Sequence, residues 1–170
     1  MSLRLQLHLI LATLIPTAVH AGPADELSAL FLQSCLPFVG KPTALRRWAA
    51  QRNLPEVPDP ARAAFLSGAP GKVFDASNAT GKLALLSSDD GICAVVTDRS
   101  GDRETIERLE RILTDAGVAF RLVIERDDKL NPKLHDREYL ATRKGQSWRI
   151  LAATVRGDAR GQAMLTAAPE

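Results

Sequence analysis

The spacing of apolar residues changes near residue 70, and this limits the fold more than any other feature of the sequence. Before that point apolar positions recur about every four residues; after it they alternate. A chain of this kind makes helices first and strands afterwards. Ala24 to Phe38 reads as a helix, with Leu27, Leu30, Phe31, Cys35 and Phe38 near one face and Asp25 and Glu26 in its first turn. Pro42 and Thr43 open a second helical stretch, Ala44 to Asn53, which offers Leu45, Trp48 and Ala49. Leu54 to Pro60 is an extended connector stiffened by proline, and Ala61 to Leu66 a short helical turn stopped by Gly68.

Strands are predicted at Lys72 to Asp75, Lys82 to Leu86 and Ile92 to Thr97, the last two joined by a turn around Asp90-Gly91. One amphipathic helix follows, Asp102 to Ala116, with Ile106, Leu109, Ile112, Leu113 and Ala116 in a stripe. Asp102 is its expected N-cap and Gly117 its stop, with Glu104–Arg108 and Glu107–Arg111 as ion pairs on the wet side. Four more strands are predicted: Phe120 to Glu125, Leu134 to Arg143, Trp148 to Val155 and Gln162 to Ala167. Short turns between most of them imply an antiparallel sheet with helices packed on one face, an α+β domain.

The first residues concern address, not fold. Arg4 precedes an apolar stretch, Leu5 to Ile15, too short for the roughly 20 residues that span a bilayer. Val19 and Ala21 stand at the minus-three and minus-one positions of a cleavage site before Gly22. This is the pattern of a secretory signal peptide over residues 1–21, leaving one domain over residues 22–170 in the periplasm or outside the cell. No Cys follows the apolar core, which argues against a lipid-modified amino terminus. Export also gives the two cysteines a meaning. Cys35 and Cys93 match no zinc or redox spacing, and in an oxidising compartment such a pair forms a structural disulfide. In the chain-entropy model, closing a loop of nearly sixty residues contributes on the order of 4 kcal/mol.

Chemistry is sparse. The net charge of +2 is spread over interspersed acids and bases, so no basic stripe exists for nucleic acid. The exported part has one histidine, His135, in Leu134-His-Asp-Arg-Glu138, with no serine in a nucleophile-elbow pattern; it reads as a surface or hydrogen-bonded residue. Asp75, Asp89, Asp90, Glu125, Asp127, Asp136 and Glu138 are raw material for a carboxylate hydrolase without any defined geometry. Asp89 and Asp90 lack the density of a calcium loop, and Gly68-Ala-Pro-Gly71 lacks the Lys-Ser/Thr ending of a phosphate loop. Asn78-Ala-Thr80 fits a glycosylation acceptor, Arg156-Gly-Asp158 fits a tight turn, and Trp48 and Trp148 read as packing residues. No catalytic, metal or cofactor residue is assigned.

Phe65 to Phe74 and Gly81 to Cys93, with Cys35 upstream, resemble small, largely uncharacterised exported proteins and lipoproteins of proteobacteria over about residues 27–97. The resemblance implies a periplasmic location and carries no activity. The expected function is that of a non-enzymatic periplasmic protein binding another protein, as an inhibitor, immunity factor or envelope accessory. A small-ligand binder and a carboxylate or His135 hydrolase are the alternatives; no nucleic acid, cofactor or membrane span after cleavage is expected.

Overall fold

The structure is a computed structural model that describes residues 21–157 and 161–170. The predicted signal segment lies outside the described residues apart from Ala21, and Asp158 of the Arg-Gly-Asp turn lies outside them too. The elements follow the expected order. Helices α1 (Pro23–Phe38), α2 (Pro42–Gln51) and α3 (Asp59–Leu66) precede strands β1 (Gly71–Asp75), β2 (Leu83–Ser88) and β3 (Cys93–Thr97). Helix α4 (Asp102–Asp115) then leads to β4 (Ala119–Asp127), β5 (Leu134–Arg143), β6 (Gln146–Val155) and β7 (Ala163–Pro169). Among these described elements all seven strands form one sheet in the order β1-β2-β3-β7-β6-β5-β4, with every neighbouring pair antiparallel. The chain is an α+β protein.

Alternation along the strands divides the apolar residues between two faces. Leu83, Leu85, Cys93, Val95, Ile150 and Leu165 pack under α1, α2 and α4, where they meet Leu27, Phe31, Leu45, Leu109 and Leu113 in the main core. Val73, Ala84, Leu86 and Ala94 point the other way and are covered by Val57 and by Leu66 of α3. Helix α3 therefore lies opposite the other three and shields only the β1–β2 end of its face. The proline-stiffened connector has a second use. Val57 donates its N–H to Val73 and Pro55 accepts from Asp75, so the outer edge of β1 is closed by the chain itself.

Cys35 and Cys93 are bonded, with Cα atoms 5.2 Å apart, and tie α1 to the first residue of β3. Beside them two backbones touch. Gly40 donates to the carbonyl of Gly91 at 3.0 Å, and a Cβ on Gly91 would lie 2.7 Å from the Gly40 Cα. Gly91 also has φ +92°, the left-handed region expected of the Asp90-Gly91 turn.

Three details of α4 differ from expectation. Its N-cap is Gly101, and Asp102 occupies the first helical position, where its carboxylate accepts from Thr154. Arg108 pairs with Asp25 of α1, not with Glu104 of its own helix. Glu107 lies nearest Arg103, at 3.9 Å, and not Arg111. The Arg108 pairing follows from α1 packing along α4, which turns Arg108 into an interhelical residue. Gly117 ends the helix as expected, with φ +67°.

Candidate functional site

Polar residues at every second position of β5 face the helices. His135, Arg137 and Tyr139 share that face with the buried Ala141, and register brings Asp127 opposite His135, Glu125 opposite Arg137, and Thr154 opposite His135 from the other side. Glu125 and Asp127 reach this face because β4 carries an irregularity between Leu122 and Ile124. The extra residue resets the alternation, placing odd-numbered 125 and 127 on the side already used by even-numbered 120 and 122.

His135 is 2% exposed. Its Nδ1 lies 2.9 Å from Asp127 Oδ1, and its Nε2 lies 3.1 Å from Arg156 Nη2 and 3.3 Å from Glu125 Oε1. A guanidinium can only donate, so the Arg156 contact is satisfied when Nε2 accepts and the ring proton sits on Nδ1 toward Asp127, whereas the Glu125 contact calls for a proton on Nε2. Arg156 also donates to Asp127 Oδ1 at 2.7 Å and lies 3.6 Å from Asp102 Oδ2. Arg137 donates twice to Glu125 Oε1, at 3.1 and 2.9 Å, and this bonding holds the Glu125 carboxyl below the usual range. Tyr139 donates to Glu110 Oε1 of α4 at 2.7 Å. Burial first, and the Glu110 carboxylate second, push its phenol well above 10.

This network contains the orienting half of a hydrolytic triad, a carboxylate on His Nδ1. The other half is not met. Nε2, the atom that would take a proton, is covered by an arginine N–H, and the Thr154 hydroxyl of the network donates to Asp102. Among the described residues no group of three or more His, Cys, Asp or Glu side chains could hold a metal ion.

The other carboxylates singled out in the sequence are scattered, and each has a local role. Asp90 accepts from Ile92 within its turn, Asp89 pairs with Arg46, and Asp75 accepts from Ser77, whose hydroxyl and N–H hold that carboxyl low. Asp136 and Glu138 lie on the opposite face of β5, paired with Arg126 and Arg149. Asn78 accepts from Thr80. Trp148 is buried, and Trp48 packs between Phe38 and Arg52. The network residues not read as site residues from the sequence are Asp102, Glu110, Arg137, Tyr139, Thr154 and Arg156; polar side chains at i, i+2 and i+4 on the core side of β5 could have signalled Arg137 and Tyr139, while the other four come from α4, from β6 and from the turn after it.

A second candidate is the sheet face opposite α1, α2 and α4. Beyond α3 no described helix covers it. Val96, Leu140, Leu151, Ala153, Val155 and Met164 lie half-buried there, with the Asp136–Arg126 and Glu138–Arg149 pairs between them. Two shallow cavities, of about 290 and 330 Å³, open on this face and share Val96 and Gln162. The face runs to β4, the edge strand opposite β1, which is exposed over most of its length and carries Val123 and Ile124 at 38% and 36% exposure on this side; Leu122 lies on the helix side. One edge of the sheet is closed by the chain; the other has no covering segment among the described residues.

Comparison with protein-family models, curated proteins and solved structures returned no match to this chain.

Proposed function

We propose that this is a non-enzymatic periplasmic protein that binds another protein through the open half of its sheet, as an inhibitor, an immunity factor or an envelope accessory. The observation that carries the reading is the asymmetry of the sheet. Three helices cover one face, while half of the other face presents apolar side chains that continue onto an unpaired edge strand. Half-buried apolar side chains on an uncovered sheet face, flanked by paired charges, suit a protein interface. An edge strand can also accept a partner's strand by main-chain hydrogen bonds. The signal pattern, the disulfide and the resemblance to small proteobacterial exported proteins all support the periplasm as the place of binding.

The His135–Asp127 pair favours a second reading, a hydrolase. Against it stand the Arg156 cap on Nε2 and the lack of a hydroxyl or thiol facing that nitrogen within the network. The test is affinity capture of the oxidised mature protein from periplasmic extract, beside Leu151→Asp, Ile124→Asp and Arg103→Glu. The reading expects one stoichiometric protein, lost with the two sheet substitutions and kept with Arg103→Glu on the solvent side of α4. Absence of any partner, or loss with none of the three, refutes it.

A further inference from the structure

We infer that the mature chain begins at Gly22 and that the α-ammonium group created there is bound by Asp25 and Glu104, fastening the starts of α1 and α4 together. Gly22 is the N-cap of α1, and its N–H donates to Asp25 Oδ2 at 2.9 Å. The other oxygen of Asp25 holds Arg108 of α4. A Cβ on residue 22 would lie 3.3 Å from Glu104 Oε1, so the first turn of α4 reaches the same point. Gly22 near Glu104, and Asp25 near Arg108, make the two helices run side by side with their N-termini at one end.

That end is electrically unusual. Each helix start carries about half a positive charge, and two lie together here. Their first turns supply Asp25, Glu26, Asp102 and Glu104. In the uncleaved chain, residue 22 offers this cluster one neutral amide N–H. Hydrolysis of the Ala21–Gly22 bond consumes one water; the carboxylate leaves with residues 1–21, and the Gly22 nitrogen takes a proton to become ammonium. Its three N–H groups can then serve Asp25 and Glu104 together, and a charge-assisted bond is roughly twice as strong as a neutral one. Arg108 and the two helix starts oppose the new charge; the four first-turn carboxylates outweigh them, and Arg108 is already engaged on Asp25 Oδ1. Arg111 and Asp115 lie farther along the same interhelical groove, beside Ala21, Glu26 and Ala29. A Cβ here would lie in tight contact with the end of the Glu104 side chain, which would have to shift by a few tenths of an ångström.

The experiment uses three proteins: the chain exported in a proteobacterial host, the chain starting at Gly22 after scarless fusion removal, and the same chain with Gly22 Nα-acetylated. Intact mass should place the exported terminus at Gly22. At pH 6.5 the free amine should melt about 3 °C above the acetylated form. An amine that gains carboxylate partners has its pKa raised on folding. The difference should therefore be full below about pH 7.7, the unfolded value, and vanish as pH rises through the folded one. Asp25→Asn and Glu104→Gln should each shrink it. A terminus at another residue, equal melting of the two forms, or a difference that survives both substitutions overturns the inference. It shares export with the function proposed above but not partner binding, so a failed capture leaves these masses and melts unchanged.

Discussion

Replacing Gly91 with alanine probes the place where two backbones touch beside the disulfide. Two costs combine. A residue with a Cβ in the left-handed region is disfavoured by about 1–2 kcal/mol, and Gly91 sits at φ +92°. The new Cβ would also meet the Gly40 Cα at 2.7 Å and its N and C atoms at 3.3 Å. These are backbone atoms, so no rotamer relieves the overlap, and the Gly40–Gly91 hydrogen bond and the Cys35–Cys93 bridge hold the segments together. Overpacking of this kind costs about 1–3 kcal/mol. The sum is roughly 3–4 kcal/mol, or about 10 °C in melting temperature for a domain of this size. Gly117→Ala is the control: φ is +67°, but nothing lies within 4 Å of its added Cβ. It should show the backbone cost alone, about 1 kcal/mol. Thermal and urea unfolding of both oxidised variants, followed by circular dichroism, decides the matter. If Gly91→Ala proves no worse than Gly117→Ala, the close approach of the two backbones is not a constraint and the reasoning fails.

Removing the bridge by Cys35→Ser with Cys93→Ser, a separation of 58 residues, should cost about 4 kcal/mol. That lowers the urea midpoint by about 2 M; a shift below about 0.5 M would contradict the chain-entropy account. Tyr139 is the only tyrosine, so absorbance at 295 nm reports its ionisation directly. It should stay protonated past the usual 10 in the native protein, and Glu110→Gln should bring its transition down. Because folding raises this pKa, the associated stability is full below about pH 10 and is lost as pH rises through the native value. Glu125 should titrate below 4.5 by carboxyl NMR, with Arg137→Ala moving it up. Its contribution is present above 4.5 and is lost as pH falls through the lower native value.

The architecture was legible because its signals are periodic. The apolar stripe from Ile106 to Leu113 and the alternation from Leu134 to Arg143 and from Trp148 to Val155 each reflect burial on one side, and the elements follow them within a few residues. The polar network was not legible, for two physical reasons. The β4 irregularity at Val123 moves Glu125 and Asp127 onto the helix side, and nothing in Leu122-Val-Ile124 marks it. Arg156 reaches His135 across 21 positions, a juxtaposition set by strand order and not by spacing. Helix packing explains Arg108: a pair four residues apart with Glu104 is good local chemistry, but α1 supplies Asp25 at closer range.

The placement of β7 bears on when this chain can fold. The last strand in chain order lies in the middle of the sheet and is the sole strand joining β1-β2-β3 to β6-β5-β4. Until residues 163–169 are available, β3 and β6 have no partner between them, and the two groups of three strands cannot become one sheet. Contacts of such long sequence separation form slowly. A chain without residues 163–169 would therefore hold two three-stranded groups with no strand between them, and the sheet becomes one only when β7 slots in.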